Sequence, residues 1–175
     1  MNIILNSLQY TIPSIIVLIT SYLIVKSFLD KEYQRQRHEL HMNNNKLITP
    51  IRLQSYERML MFLERISPYS LIPRVQSSGL SGKQFQTLLV QNVRSEFEHN
   101  LSQQIYISNE TWDLVKIAKE NLIKLINIAA GHINENATAL DLSKVILDMY
   151  LKAENLPINI AIDSIKEEFK SIFLD

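Results

Sequence analysis

The residues best suited to chemistry crowd into RSEFEHNLSQQIYIS, residues 94–108, where Glu96, Glu98 and His99 fall within one helical turn. Side chains three apart project from the same side of a helix, so Glu96-x-x-His99 has the spacing with which di-iron carboxylate bundles grip one ion. Such a centre needs a second Glu-x-x-His and further inward carboxylates. The other two-His stretch, HELH at 38–41, lies in a strongly polar segment and supplies neither. Glu57 and Glu64 share a helix side with Arg58 and Arg65, as solvated charges do. No catalytic residue, bound metal or other cofactor is therefore expected, and a metal-dependent enzyme or sensor using Glu96 and His99 is the alternative.

On a helical wheel Asn92, Glu96, His99 and Gln103 form one row, while Glu98 turns away beside Arg94. A row facing the core must be a polar network satisfied internally. If the neighbouring apolar row Phe85, Leu89, Val93, Phe97, Leu101 and Ile105 drifts as i+4 rows do, the polar row lands on the flank, which is the favoured reading. A strip presented to a partner protein is the third. Trp112, close to a helix start and preceded by Tyr106, is read as a core side chain in preference to a ligand-stacking platform.

These side chains need helices to hold them. Three Gly and five Pro in 175 residues, with Leu, Ile, Lys, Glu, Gln and Asn recurring at helical spacing, predict an all-α chain. Thr49 as N-cap and Pro50 as first residue open a helix whose apolar side carries Leu53, Tyr56, Met59, Leu60, Phe62, Leu63 and Ile66. SPYSLIPRVQSSG, with two prolines, is expected to break the chain. The Ser81/Gln84 capping box then starts a helix through about Ile105. Ser108 or Asn109 caps the next, which Gly131 stops. Thr138 with Asp141 begins a further one, and Pro157 resets the chain for the last. About five helices with short connections make a compact bundle, assigned to residues 50–175. Ile117, Ile123 and Ile128 widen the apolar face of the Ser108–Gly131 helix beyond what one neighbour covers, which marks that helix as central or as an apolar interface.

Ahead of the bundle, Ile3 to Val25 carries no charged side chain. At 1.5 Å per residue it reaches roughly 34 Å, against a hydrocarbon core of about 30 Å. A transmembrane anchor over residues 1–29 is expected, surest from Pro13 to Leu29, followed by a polar juxtamembrane stalk at 30–49. No basic residue precedes the run, and Lys26, Lys31, Arg35 and Arg37 follow its core, the reverse of a cleaved signal peptide. The same asymmetry predicts an N-terminus outside and a cytoplasmic domain, the lipid bilayer being the first partner.

Composition removes other classes. Lys plus Arg equals Asp plus Glu at 18 each, so no net field draws the chain onto nucleic acid. Without Cys there is no disulfide, thiolate nucleophile, Cys-type zinc site or iron-sulfur cluster. Gly-rich phosphate loops, nucleophile elbows and zinc-helix motifs are absent from the sequence.

Taken with the single N-terminal apolar run, the segments RLQSYERMLMFLERISP, RSEFEHNLSQQIYIS and WDLVKIAKENLIKLIN resemble a family of small uncharacterised bacterial single-pass inner-membrane proteins. The resemblance spans essentially the whole chain. It implies a bacterial inner-membrane location and carries no activity or catalytic residue with it. A non-enzymatic, membrane-tethered helical module, acting as an accessory, assembly or scaffold subunit with a protein partner or a second copy of itself, is the expectation.

Overall fold

A computed structural model describes the backbone of residues 2–173 and the side chains of 15–37, 39, 42 and 46–173. Among them every regular element is helical: α1 (Asn2–Ile66), α2 (Pro68–Val75), α3 (Gly82–Asn100), a 3-10 helix (Leu101–Ile105), α4 (Asn109–Gly131), α5 (Ala139–Lys152) and α6 (Pro157–Phe173). The chain falls into two compact units, Met1–Pro50 and Ile51–Asp175.

In the first unit, the side chains from Ile15 to Leu29 are exposed without exception. The large ones, among them Ile16, Leu18, Leu23, Ile24 and Phe28, keep between 50% and 68% of their surface. Past them the exposed polar groups pair only locally, as in Arg35–Glu39 at 3.2 Å. Among the described residues no helix is long and apolar enough to cross a membrane. The expected span also runs over 3–14, and the HELH histidines are His38 and His41; all these side chains lie outside the described residues.

The second unit is built on the apolar faces read from the sequence. Tyr56, Met59, Phe62, Leu63 and Ile66 of α1 are buried, as are Phe85, Leu89 and Val93 of α3. Trp112, Val115, Ala118, Leu122, Ile126 and Ala129 of α4 join them, with Leu142 and Ile146 of α5 and Ile158 and Ile165 of α6. α4 packs against α3, α5 and α6 at once. Three neighbours explain its wide apolar face: Ile123 serves the core at 7% exposure, whereas Ile117 and Ile128 stay 48% and 43% exposed. The expected interface trio is thereby corrected, since six residues of helix turn Ile123 away from Ile117.

Helix starts follow their caps. Ser81 accepts from the Gln84 N–H while the Gln84 side chain takes the Ser81 N–H, and Thr138 and Asp141 repeat the arrangement. The starts of α3 and α5 lie side by side through an antiparallel bridge, Gly82 N–H to Ala137 O at 2.8 Å and Ala139 N–H to Leu80 O at 3.2 Å.

Three boundaries differ from expectation. Thr49 and Pro50 lie within α1 and do not open a new helix. Proline costs a helix one N–H and a clash with the carbonyl four back, and good helix formers on either side, Lys46 and Leu47 before, Arg52 and Leu53 after, tolerate it. The proline-containing stretch does break the chain, since α1 ends at Ile66, but Pro68–Val75 within it form a further helix, α2. Pro68 sits where the N–H would be orphaned anyway, and burial of Leu71 and Ile72 stabilises the short helix. Finally, α3 ends at Asn100 and tightens into the 3-10 helix. Three residues per turn instead of 3.6 rotates the following side chains. Gln103 is carried inward to 9% exposure, and Leu101 and Ile105 are turned out to 44% and 76%.

Candidate functional site

The row expected along α3 divides into four separate environments. Asn92 is half-buried and donates its amide to Leu88 O at 2.9 Å. Glu96 is half-buried as well, and its Oε1 accepts from Arg65 Nε at 3.1 Å, Arg65 Nη2 at 2.7 Å and Arg74 Nη1 at 2.6 Å. Arg74 also donates to Arg65 O at 3.2 Å, so one carboxylate ties α3 to the ends of α1 and α2. His99 is exposed. Gln103, past the helix end, offers its main-chain oxygen to the buried Ser55 hydroxyl at 3.3 Å and its amide to Ser102 at 3.3 Å.

Burial would raise the Glu96 carboxyl, but the hydrogen bonds and charges of Arg65 and Arg74 outweigh it and hold the group below the usual glutamate range. A metal ion at Glu96 would have to compete with the two guanidinium groups already held on Oε1. Among the described residues no three His, Asp or Glu side chains converge as metal ligands would. The geometry gives Glu96 the work of a bracket between three helices.

A second polar cluster was missed in the sequence. Glu168 of α6 takes the Tyr56 hydroxyl at 2.7 Å and the Ser108 N–H at 2.9 Å on Oε1, and the Ser108 hydroxyl at 2.7 Å on Oε2. Ser108 is also the N-cap of α4, accepting from Thr111 N–H at 3.2 Å, and the Thr111 hydroxyl meets Ser164 of α6 at 2.9 Å. A carboxylate at a helix start complements the partial positive charge there. Burial pulls Glu168 upward, and the hydroxyls of Thr111, Ser108 and Tyr56 with the Ser108 N–H more than reverse it, leaving the carboxyl below its ordinary value. Tyr56 is pushed up to about 12, first by burial and then by its bond to Glu168. Each cluster is bonded within itself, Glu96 through Oε1 and Glu168 through both carboxylate oxygens. Trp112, 7% exposed, stacks on Phe97 at 5.4 Å between ring centres, and Lys119 lies 4.2 Å above the Phe97 ring. That places Trp112 in the core, as expected.

An apolar groove of about 330 Å³ lies open between α4, the end of α5 and the start of α6. Leu122, Leu125, Ile128, Met149 and Ile158 supply its apolar walls, and Lys124 is the one charged side chain on its lining. Beside it run the exposed residues of α4: Ile117, Glu120, Asn121, Lys124 and Ile128.

A family of unknown function (DUF7935) matches residues 2–172, across both units and every element named above. The chain belongs to that family. No curated protein and no solved structure matches it. The family match thus covers α1 from its start, the Glu96 and Glu168 clusters and the groove together, and leaves the chemistry of each to be argued from the side chains. Ile117 and Ile128 were legible as candidates because exposed isoleucines are conspicuous in a helix; Glu168 and the two arginines on Glu96 were not, because their partners lie 22 to 112 residues away.

Proposed function

We propose that the protein is a non-enzymatic, membrane-tethered helical interaction module, an accessory, assembly or scaffold subunit whose bundle works at the membrane surface. The observation that carries the proposal is the exposed run from Ile15 to Leu29, in which large aliphatic and aromatic side chains keep half or more of their surface. A contiguous apolar patch of that size has to be covered, and a bilayer covers it without a dedicated protein partner. Together with the uncharged residues 3–14 that precede it, the run has the length of a single-pass anchor.

Lys26 near the end of the run and Lys31, Arg35 and Arg37 after it support an orientation with the C-terminal domain on the cytoplasmic side of a bacterial inner membrane. Tethering raises the local concentration of a weak binder, so modest contacts in the bundle suffice for partnership. The balanced charge and the self-paired clusters around Glu96 and Glu168 favour a binding role over a reaction. Purification of the full chain in mild detergent, with crosslinking and mass spectrometry, tests this: recurrent crosslinks to one protein, a second copy included, support it, and a strictly monomeric, uncrosslinked protein contradicts it.

A further inference from the structure

We infer that the exposed strip of α4 pairs two copies of this chain about a two-fold axis near Leu122. Ile117, Glu120, Asn121, Lys124 and Ile128 fall within roughly 100° of arc at 3.6 residues per turn, so they form one strip along the helix. All five are exposed. Between Ile117 and Ile128 the strip runs apolar, acidic, amide, basic, apolar. It is symmetric in hydropathy and antisymmetric in charge about its midpoint.

A two-fold contact places residue i of one copy on residue j of the other and repeats the pair in reverse. With α4 antiparallel to its mate, Glu120 of each copy faces Lys124 of the other, and Ile117 of each faces the Ile128 end, where the groove opens. Each groove then receives an isoleucine side chain from the other copy. Parallel packing, or docking onto a surface of single charge, leaves one of the two charges without its complement. Glu120 has a partner on its own helix, Lys119 at 2.8 Å, but remains 66% exposed, and Lys124 joins no ion pair among the described residues.

This rests on the proposed interaction role and names its partner: a second copy, which the membrane tether would hold at high local concentration. It also accounts for an apolar surface on a chain of zero net charge, since a self-complementary strip needs no counter-charged partner.

The test uses the full chain reconstituted in lipid vesicles, with flotation recorded alongside self-association. The sequence contains no Cys, so a single Asn121→Cys places one thiol beside the axis, and Asp163→Cys on exposed α6 serves as control. Oxidation should give a disulfide-linked dimer with the first and not the second. Glu120→Lys should lower the crosslinked fraction about tenfold, because like charges then face each other twice. Adding Lys124→Glu to it should restore crosslinking, while a folding defect would not be restored. Equal crosslinking at positions 121 and 163, or loss with Glu120→Lys that the double change leaves unrepaired, overturns the inference. A protein that floats with vesicles and stays uncrosslinked refutes the pairing alone; one that crosslinks and does not float refutes the tether alone.

Discussion

The hydroxyl of Tyr56 and the carboxylate of Glu168, 112 residues apart in sequence, meet at 2.7 Å. Through that contact α6 joins the C-terminal part of α1 to the first turn of α4, because the same carboxylate binds both the N–H and the hydroxyl of Ser108. Hydrogen bonds to a charged group contribute more than neutral ones, and removing the shared acceptor strands three donors. Glu168→Ala should therefore cost about 2–3 kcal/mol and Tyr56→Phe about 1 kcal/mol. The double variant should cost less than the sum, since both changes break one network. Urea unfolding of the four proteins measures this.

Stability should fall in acid for a reason that can be assigned. Glu96 and Glu168 both have carboxyls held below the ordinary value of 4.5, so the unfolded chain binds protons more readily than the folded one. Their contribution is complete above 4.5 and is lost as pH drops through the lower folded values. Tyr56 works in the opposite sense. Its folded value of about 12 lies above the ordinary 10.0, so its contribution is complete below 10.0 and disappears as pH rises through about 12. Unfolding midpoints should be flat near neutrality and decline at both ends, with a shallower acid limb in Glu168→Gln.

Gly82 stands where α3 and α5 begin together. A Cβ there would lie 2.6 Å from Ile133 Cδ1 and 3.2 Å from Ala137 O. The isoleucine tip can rotate; the carbonyl cannot, because it accepts the Gly82 N–H. Gly82→Ala is expected to destabilise by about 1 kcal/mol, overpacking the bridge by one methyl, and Gly82→Val by more. Thermal melts of both variants check the order.

Much of the bundle was written in local signals. The Ser81/Gln84 and Thr138/Asp141 boxes and the Ser108 cap each act within four residues, and the structure has all of them; α4 also ends at Gly131, though as its last helical residue, with His132 as the cap. The apolar stripe of α1 was readable too, apart from Leu53, which stays 40% exposed. The misread parts depend on tertiary context. α2 forms despite two prolines because Leu71 and Ile72 find a core, and α3 yields to a 3-10 turn that swaps Gln103 for Ile105. Glu96 looked like half of a metal motif because its true partners, Arg65 and Arg74, are 31 and 22 residues away.

Two of the four isoleucines of α4 should separate by experiment. Ile123, buried at 7%, should cost about 2–4 kcal/mol when cut to alanine. Ile117→Ala, at 48% exposure, should leave folding within about 0.5 kcal/mol. Calorimetry on the two variants distinguishes a core side chain from a surface one.

The proposed anchoring of α1 in a bilayer is tested most directly by vesicle flotation of the full chain. The wild-type protein should float with neutral phosphatidylcholine vesicles and resist extraction by high salt and alkaline carbonate. A variant with Ile16, Leu18, Leu23 and Ile24 all changed to Ser should stay in the aqueous fraction with its bundle folded. Wild-type protein that remains in the aqueous fraction, or that salt strips from the vesicles, would contradict the account.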